Sequence, residues 1–141
     1  MQVQAYLNFD GRCEEAIEFY RKALGAEVTT LMRFNDSPEP CAPGMLPPGA
    51  EKKVMHASFH IGETLLMASD CHCTGKPNFQ GISLAINTPS EAQAQKLFAA
   101  LSDGGNVAQP LSKTFFSPAF GVVSDRFGVT WMIHAAPQSH V

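Results

Sequence analysis

The chain has 141 residues, and residues 1–141 are expected to form one domain with a real core. Its 45% hydrophobic and 16% charged residues match a soluble globular protein, and a net charge of -3 without a basic run argues against a nucleic-acid surface. No apolar run approaches the roughly 20 residues of a membrane span, and MQVQAYLNFD lacks a secretion signal, so no membrane partner and a cytoplasmic location are expected.

Val3 to Phe9 alternates and reads as a half-buried strand, with Val3, Ala5, Leu7 and Phe9 on one face and Gln4, Tyr6 and Asn8 on the other. Glu14 to Leu24 reads as an amphipathic helix. Glu14 and Glu15 suit its first turn, Arg21 and Lys22 its last, and Gly25 its stop. Glu27 to Phe34 is a strand rich in β-branched residues. Asn35 to Gly49, with five prolines, is a loop of the length that usually covers or binds something.

Val54 to Asp70 reads as a β-hairpin turning at Gly62-Glu63. Its first strand sets Met55, Ala57, Phe59 and Ile61 against His56, Ser58 and His60. Two of the five histidines therefore share one strand face. Residues 71–79 form a linker.

Gly81 to Asn87 is the next strand. Ser90 is a candidate N-cap for a helix over 91–101, with Ala92, Leu97, Phe98 and Leu101 expected inward and Gly104-Gly105 ending it. Asn106 to Thr114 is a strand, and Pro110 marks it as an edge. Phe120 to Ser124 and Val129 to His134 close the chain as a hairpin around Asp125-Arg126-Phe127-Gly128. A short polar tail follows from 135 to 141.

Each half thus reads β-α-β-β-β, the first over 2–70 and the second over 80–136. Identity between the halves is weak, so the repeat is one of element order. The expected class is α+β: two such units forming a curved eight-stranded mixed sheet with helices on its outer face and a central hollow.

The four cysteines form no clear framework. Cys13 opens a helix, Cys41 lies in the proline-rich loop, and Cys71 and Cys73 flank His72. Ligands this close rarely reach one ion, because zinc pairs usually enclose two or more residues. Reduced thiols are expected.

The runs AYLNFDG and AIEFYRKALGAEV, then VMHASFHIG and LLMASD, then PLSKTFFSPAFGVVSDRFGVTWMI, cover nearly the whole chain. In that order they resemble the vicinal oxygen chelate superfamily, which includes glyoxalase I, extradiol dioxygenases and bleomycin-binding proteins, and within it the PhnB-like branch. That branch is often labelled a 3-demethylubiquinone-9 3-methyltransferase domain. No glycine-rich strand-turn-helix for a methyl-donor cofactor is present to support the label physically.

Metal-dependent members of the superfamily take a His near the start of each half's first strand and a Glu or His from its fourth. By resemblance these positions fall on Gln4 or Ala5, Leu66 or Met67, Ser83, and Met132. None offers the imidazole or carboxylate that such an ion needs, so no metal or other cofactor is expected. A rearranged divalent site from His56, His60 and His134 is the alternative. Otherwise His60 and His134 are expected to face solvent or a partner, and His140 carries no role.

The expected function is metal-independent binding of an unidentified small molecule in the hollow. His56, Gln4, Tyr6, Ser58 and Trp131 are the candidate ligand-binding residues, and no catalytic residue is assigned. Alternatives are an enzyme of glyoxalase or dioxygenase type acting through His56, or a non-catalytic dimer scaffold. The resemblance also implies a homodimer.

Overall fold

The computed structural model describes residues 1–36, 49–70 and 76–136. Most of the proline-rich loop with Cys41, the Cys71-His72-Cys73 run, and the tail with His140 lie outside the described residues. The chain divides into two compact units, Met1–Asn78 and Phe79–Val141.

The first unit runs β1 (Tyr6–Asn8), α1 (Cys13–Leu24), β2 (Glu27–Arg33), β3 (Val54–Ile61) and β4 (Thr64–Ser69), with short 3-10 turns at Phe34–Asp36 and Ala50–Lys52. The second runs β5 (Ser83–Thr88), α2 (Glu91–Ser102), β6 (Asn106–Ser112), β7 (Phe120–Ser124) and β8 (Thr130–Ala135). Each makes a four-stranded mixed sheet, ordered β1-β4-β3-β2 and β5-β8-β7-β6. The first and fourth strands of each unit pair in parallel, and the other pairings are antiparallel. The expected β-α-β-β-β repeat is therefore present twice, with one topology.

In the first unit, pairing sorts the residues onto two faces. Leu7, Ala68, Ala57 and Leu31 form one cross-strand row, and Tyr6, Met67, Ser58 and Thr30 form the next row on the opposite face. Leu7, Ala68, Ala57, Phe59 and Leu66 are buried with Ala16, Ile17 and Tyr20 of α1. The Tyr20 ring lies 6.1 Å from Phe9 and 6.3 Å from Phe59, so three aromatic rings fill the seam between helix and sheet. Gly25 ends α1 at φ 69°, a left-handed conformation that glycine adopts without steric cost.

Three local expectations change. β1 is shorter than the alternation from Val3 predicts: its parallel partner offers pairing only from Met67 to Ser69, and Val3 is left 95% exposed. A register shift between Met32 and Arg33 brings Val54 into the core and leaves Met55 half-buried, against the alternation. On α2, Ala94 and Leu101 are the buried residues and Ala92 is exposed, because the helix turns its 94–98–101 stripe inward.

The helices start differently. In α2 the Ser90 hydroxyl accepts the Gln93 N–H at 3.1 Å, the expected N-cap. Arg12 gives α1 no side-chain cap. Instead Asp70, beyond the end of β4, takes the Gly11 and Cys13 N–H groups on one oxygen and the Val54 N–H on the other. One buried carboxylate therefore fixes the start of α1 and the start of β3.

Candidate functional site

β3 carries His56 and Ser58 on the face turned away from α1, and β1 carries Tyr6 on that same face. The imidazole of His56 bridges the other two. Its Nε2 lies 3.2 Å from Ser58 Oγ and its Nδ1 3.3 Å from Tyr6 Oη. The Tyr6 and His56 ring centroids are 5.8 Å apart. His56 and Ser58 are half-buried, and Tyr6 is 45% exposed. Nearby, Ser69 donates to the Asn8 side-chain carbonyl at 3.0 Å.

This bridge follows from register. The Gly62-Glu63 turn pairs Ile61 with Thr64, which sets Ser58 opposite Met67, and Met67 pairs with Tyr6 on its other side. Tyr6 then reaches past Met67 to His56. A neutral imidazole has one donor and one acceptor. If Nδ1 accepts from the phenol, Nε2 donates to Ser58, whose own hydrogen is free for a ligand, while the phenol oxygen can accept. In the other tautomer the two ends exchange roles. In either neutral tautomer the relay presents one donor and one acceptor.

The other candidates are placed differently. Gln4 precedes β1 and is exposed. Trp131 belongs to the second unit, is 2% exposed, and donates its indole N–H to Asp125 Oδ2 at 2.9 Å. Asp125 also accepts the Phe127 and Val129 N–H groups at 2.9 and 3.1 Å. Trp131 thus anchors the closing hairpin, on the buried side of β8 with Ile133 and Ala135. Sequence patterning missed this because a buried Trp and a pocket Trp look alike without their partners.

His60 is half-buried and pairs across β3 with Glu27 and Leu65. His134 is half-buried and stacks on Phe116 at 5.9 Å, and its buried Nδ1 has no hydrogen-bond partner among the described residues.

The metal of the metal-dependent relatives does not fit the residues present. Leu66 is buried in the core, Met67 lies in the row between Tyr6 and Ser58, Ser83 pairs with Thr130, and Met132 lies between Ala85 and Val122. Among the described residues no three His, Cys, Asp or Glu side chains converge as a metal site. Burial and the nearby Asp70 carboxylate push the Cys13 thiol far above its ordinary range, so it is not a thiolate ligand or nucleophile.

No described helix is long and apolar enough to cross a membrane. The family model described as 3-demethylubiquinone-9 3-methyltransferase matches residues 1–134. Protein YjdN of Escherichia coli (strain K12) is 32% identical over 98% of this chain and 97% of its own length. The crystal structure of protein PA1353 from Pseudomonas aeruginosa is 39% identical with a TM-score of 0.84, covering 98% of this chain and 99% of that one. A putative 3-demethylubiquinone-9 3-methyltransferase, PhnB protein, from Bacillus cereus is 27% identical with a TM-score of 0.79, covering 96% of this chain and all of that one (100%). The repeated β-α-β-β-β topology and these matches agree: its fold is shared with a glyoxylase/bleomycin resistance protein/dioxygenase domain from Frankia sp. EAN1pec, 12% identical with a TM-score of 0.64 over 96% of this chain and 95% of that one, and the chain belongs to the 3-demethylubiquinone-9 3-methyltransferase family, as the PhnB protein it resembles is described.

Proposed function

We propose that the protein binds a small molecule, without a metal, on the polar face of its first sheet, through the Tyr6–His56–Ser58 relay. The observation that carries this is the imidazole held between two hydroxyls on a face that the helix does not cover. Binding sites pair a few oriented polar groups with apolar surface, and Met67 and Met32 supply apolar neighbours here. Binding is favoured over nucleophilic catalysis. His56 Nδ1 meets a phenol, not the carboxylate that would stabilise an imidazolium beside an activated serine.

The test is a fragment screen by NMR on metal-free protein, followed by affinities of the hits for wild type and His56→Ala. Removing His56 strands the ends of the relay and should cost about 1–3 kcal/mol of binding. Unchanged affinity, with thermal unfolding as the control for the fold, refutes the reading.

Self-association is the second part of the reading. Val28 on β2 and Val107 on β6 are 39% and 48% exposed, both on edge strands, and Ile82 beside edge strand β5 is 67% exposed. Apolar side chains along open edges suit pairing with a second copy. Sedimentation should show a dimer at micromolar concentration, and a monomer there refutes it.

A further inference from the structure

We propose a second ligand site, in the second unit, which takes a small zwitterion with an apolar body, the chemistry of an apolar amino acid. It is a groove of about 500 Å³ between α2 and the end of β6, within the size range of small-molecule pockets. Glu91, Gln95 and Phe98 line it from one stripe of α2, Leu111 from the end of β6, and Lys113 and Pro118 from the loop that follows.

The groove has a structural origin. α1 fills its seam with Ile17 and Tyr20, whereas the residues that α2 fully buries are Ala94 and Leu101. Beneath Phe98 lies Gly121 of β7, where a Cβ would stand 2.7 Å from the Phe98 ring and 3.0 Å from Leu111 Cα. The missing side chain lets Phe98 sit down on the strand, leaving the space above it open. β6 is an edge strand with two register shifts around Gln109, which bend it locally.

Charge selects the occupant. Glu91 and Lys113 bring one carboxylate and one ammonium to the same groove, and neither forms an ion pair with a described residue. Phe98, Leu111 and Pro118 offer apolar surface in the same groove. A ligand with an ammonium for Glu91, a carboxylate for Lys113 and an apolar side chain complements all three features. A ligand with a single charge leaves one of the two partners unmatched.

The probe is L-phenylalanine, titrated into the full chain and followed by amide NMR, beside 3-phenylpropionate, which lacks the amine, and phenethylamine, which lacks the carboxylate. Saturable shifts are expected across 91–99 and 111–119, with both analogues about fivefold or more weaker, as expected for losing one partly exposed charge contact. Glu91→Gln should abolish the preference over 3-phenylpropionate, and Lys113→Met the preference over phenethylamine. Ala99→Trp should block the groove. If a variant does not fold, the three probes on wild type still decide. No saturation by about 10 mM, equal binding of the analogues, or shifts confined to the Tyr6–His56 face would overturn the proposal. The last result would leave the first site standing.

Discussion

Replacing Asp70 with alanine should be among the most damaging single changes outside the aromatic core. Asp70 is 1% exposed, and its two oxygens accept three backbone N–H groups, at 2.9 Å from Gly11, 2.7 Å from Cys13 and 2.7 Å from Val54. The alanine leaves those donors without an acceptor. Each buried bond to a charged acceptor contributes about 1.5–3 kcal/mol. The three share one carboxylate, so the losses do not add fully, and about 3–5 kcal/mol is expected. Asp70→Asn keeps an acceptor for one side but points an amide donor at another donor, so it should lose about 2–3 kcal/mol. At roughly 2–4 °C per kcal/mol for a chain of this size, the alanine variant should melt about 6–20 °C below wild type. Urea unfolding followed by circular dichroism gives the free energies, and hydrogen exchange at the Gly11, Cys13 and Val54 amides locates the damage. A loss under about 1 kcal/mol for the alanine, or unaltered exchange at those amides, would refute the assignment of Asp70 as the joint between α1 and β3.

Four further outcomes follow from the same structure. Trp131→Phe removes the indole bond to Asp125, so it should destabilise by about 1–3 kcal/mol in chemical unfolding. Gly121→Ala should cost about 1–3 kcal/mol by lifting Phe98 off β7, and an unchanged melting temperature would show that the seam has slack. The Arg33 guanidinium hydrogen-bonds Glu14 and lowers its pKa, so this pair's stabilisation is complete above the ordinary carboxylate value and fades as pH falls through the folded one; the melting-temperature gap between wild type and Glu14→Gln should close in acid. Burial and a raised pKa should keep Cys13 unreactive to thiol reagents in the native state, and mass mapping should find it modified only after denaturant is added.

Much of the architecture could be read from periodicity. The alternation from His56 to His60 separated the faces of β3, Gly25 and Ser90 marked helix ends, and Pro110 marked an edge strand. Those signals are local, and local physics decides them. The errors arose where a partner element decides. β1 is short because β4 pairs with only part of it, and Val54 enters the core through a register shift on β2.

The candidate site divides in the same way. His56 and Ser58 were legible as one strand face, and Tyr6 as a polar residue on another strand. Their contact depends on long-range pairing across Met67, which spacing along the chain does not encode. Trp131 and Asp125 form a bond across the closing hairpin, and composition gave no reason to pair them. The groove beside Phe98 had no sequence signal, because its lining comes from a helix, a strand end and a loop that only the tertiary fold brings together.

The central claim is that Tyr6, His56 and Ser58 hold a small molecule without a metal. Fragment-screen NMR in excess chelator tests it most directly. The account predicts hits that shift the His56 ring signals and the amides of Tyr6, Ser58 and Met67, and that keep their affinity when divalent ions are removed. Hits that disappear with the chelator, or that leave the His56 ring unmoved, would contradict it.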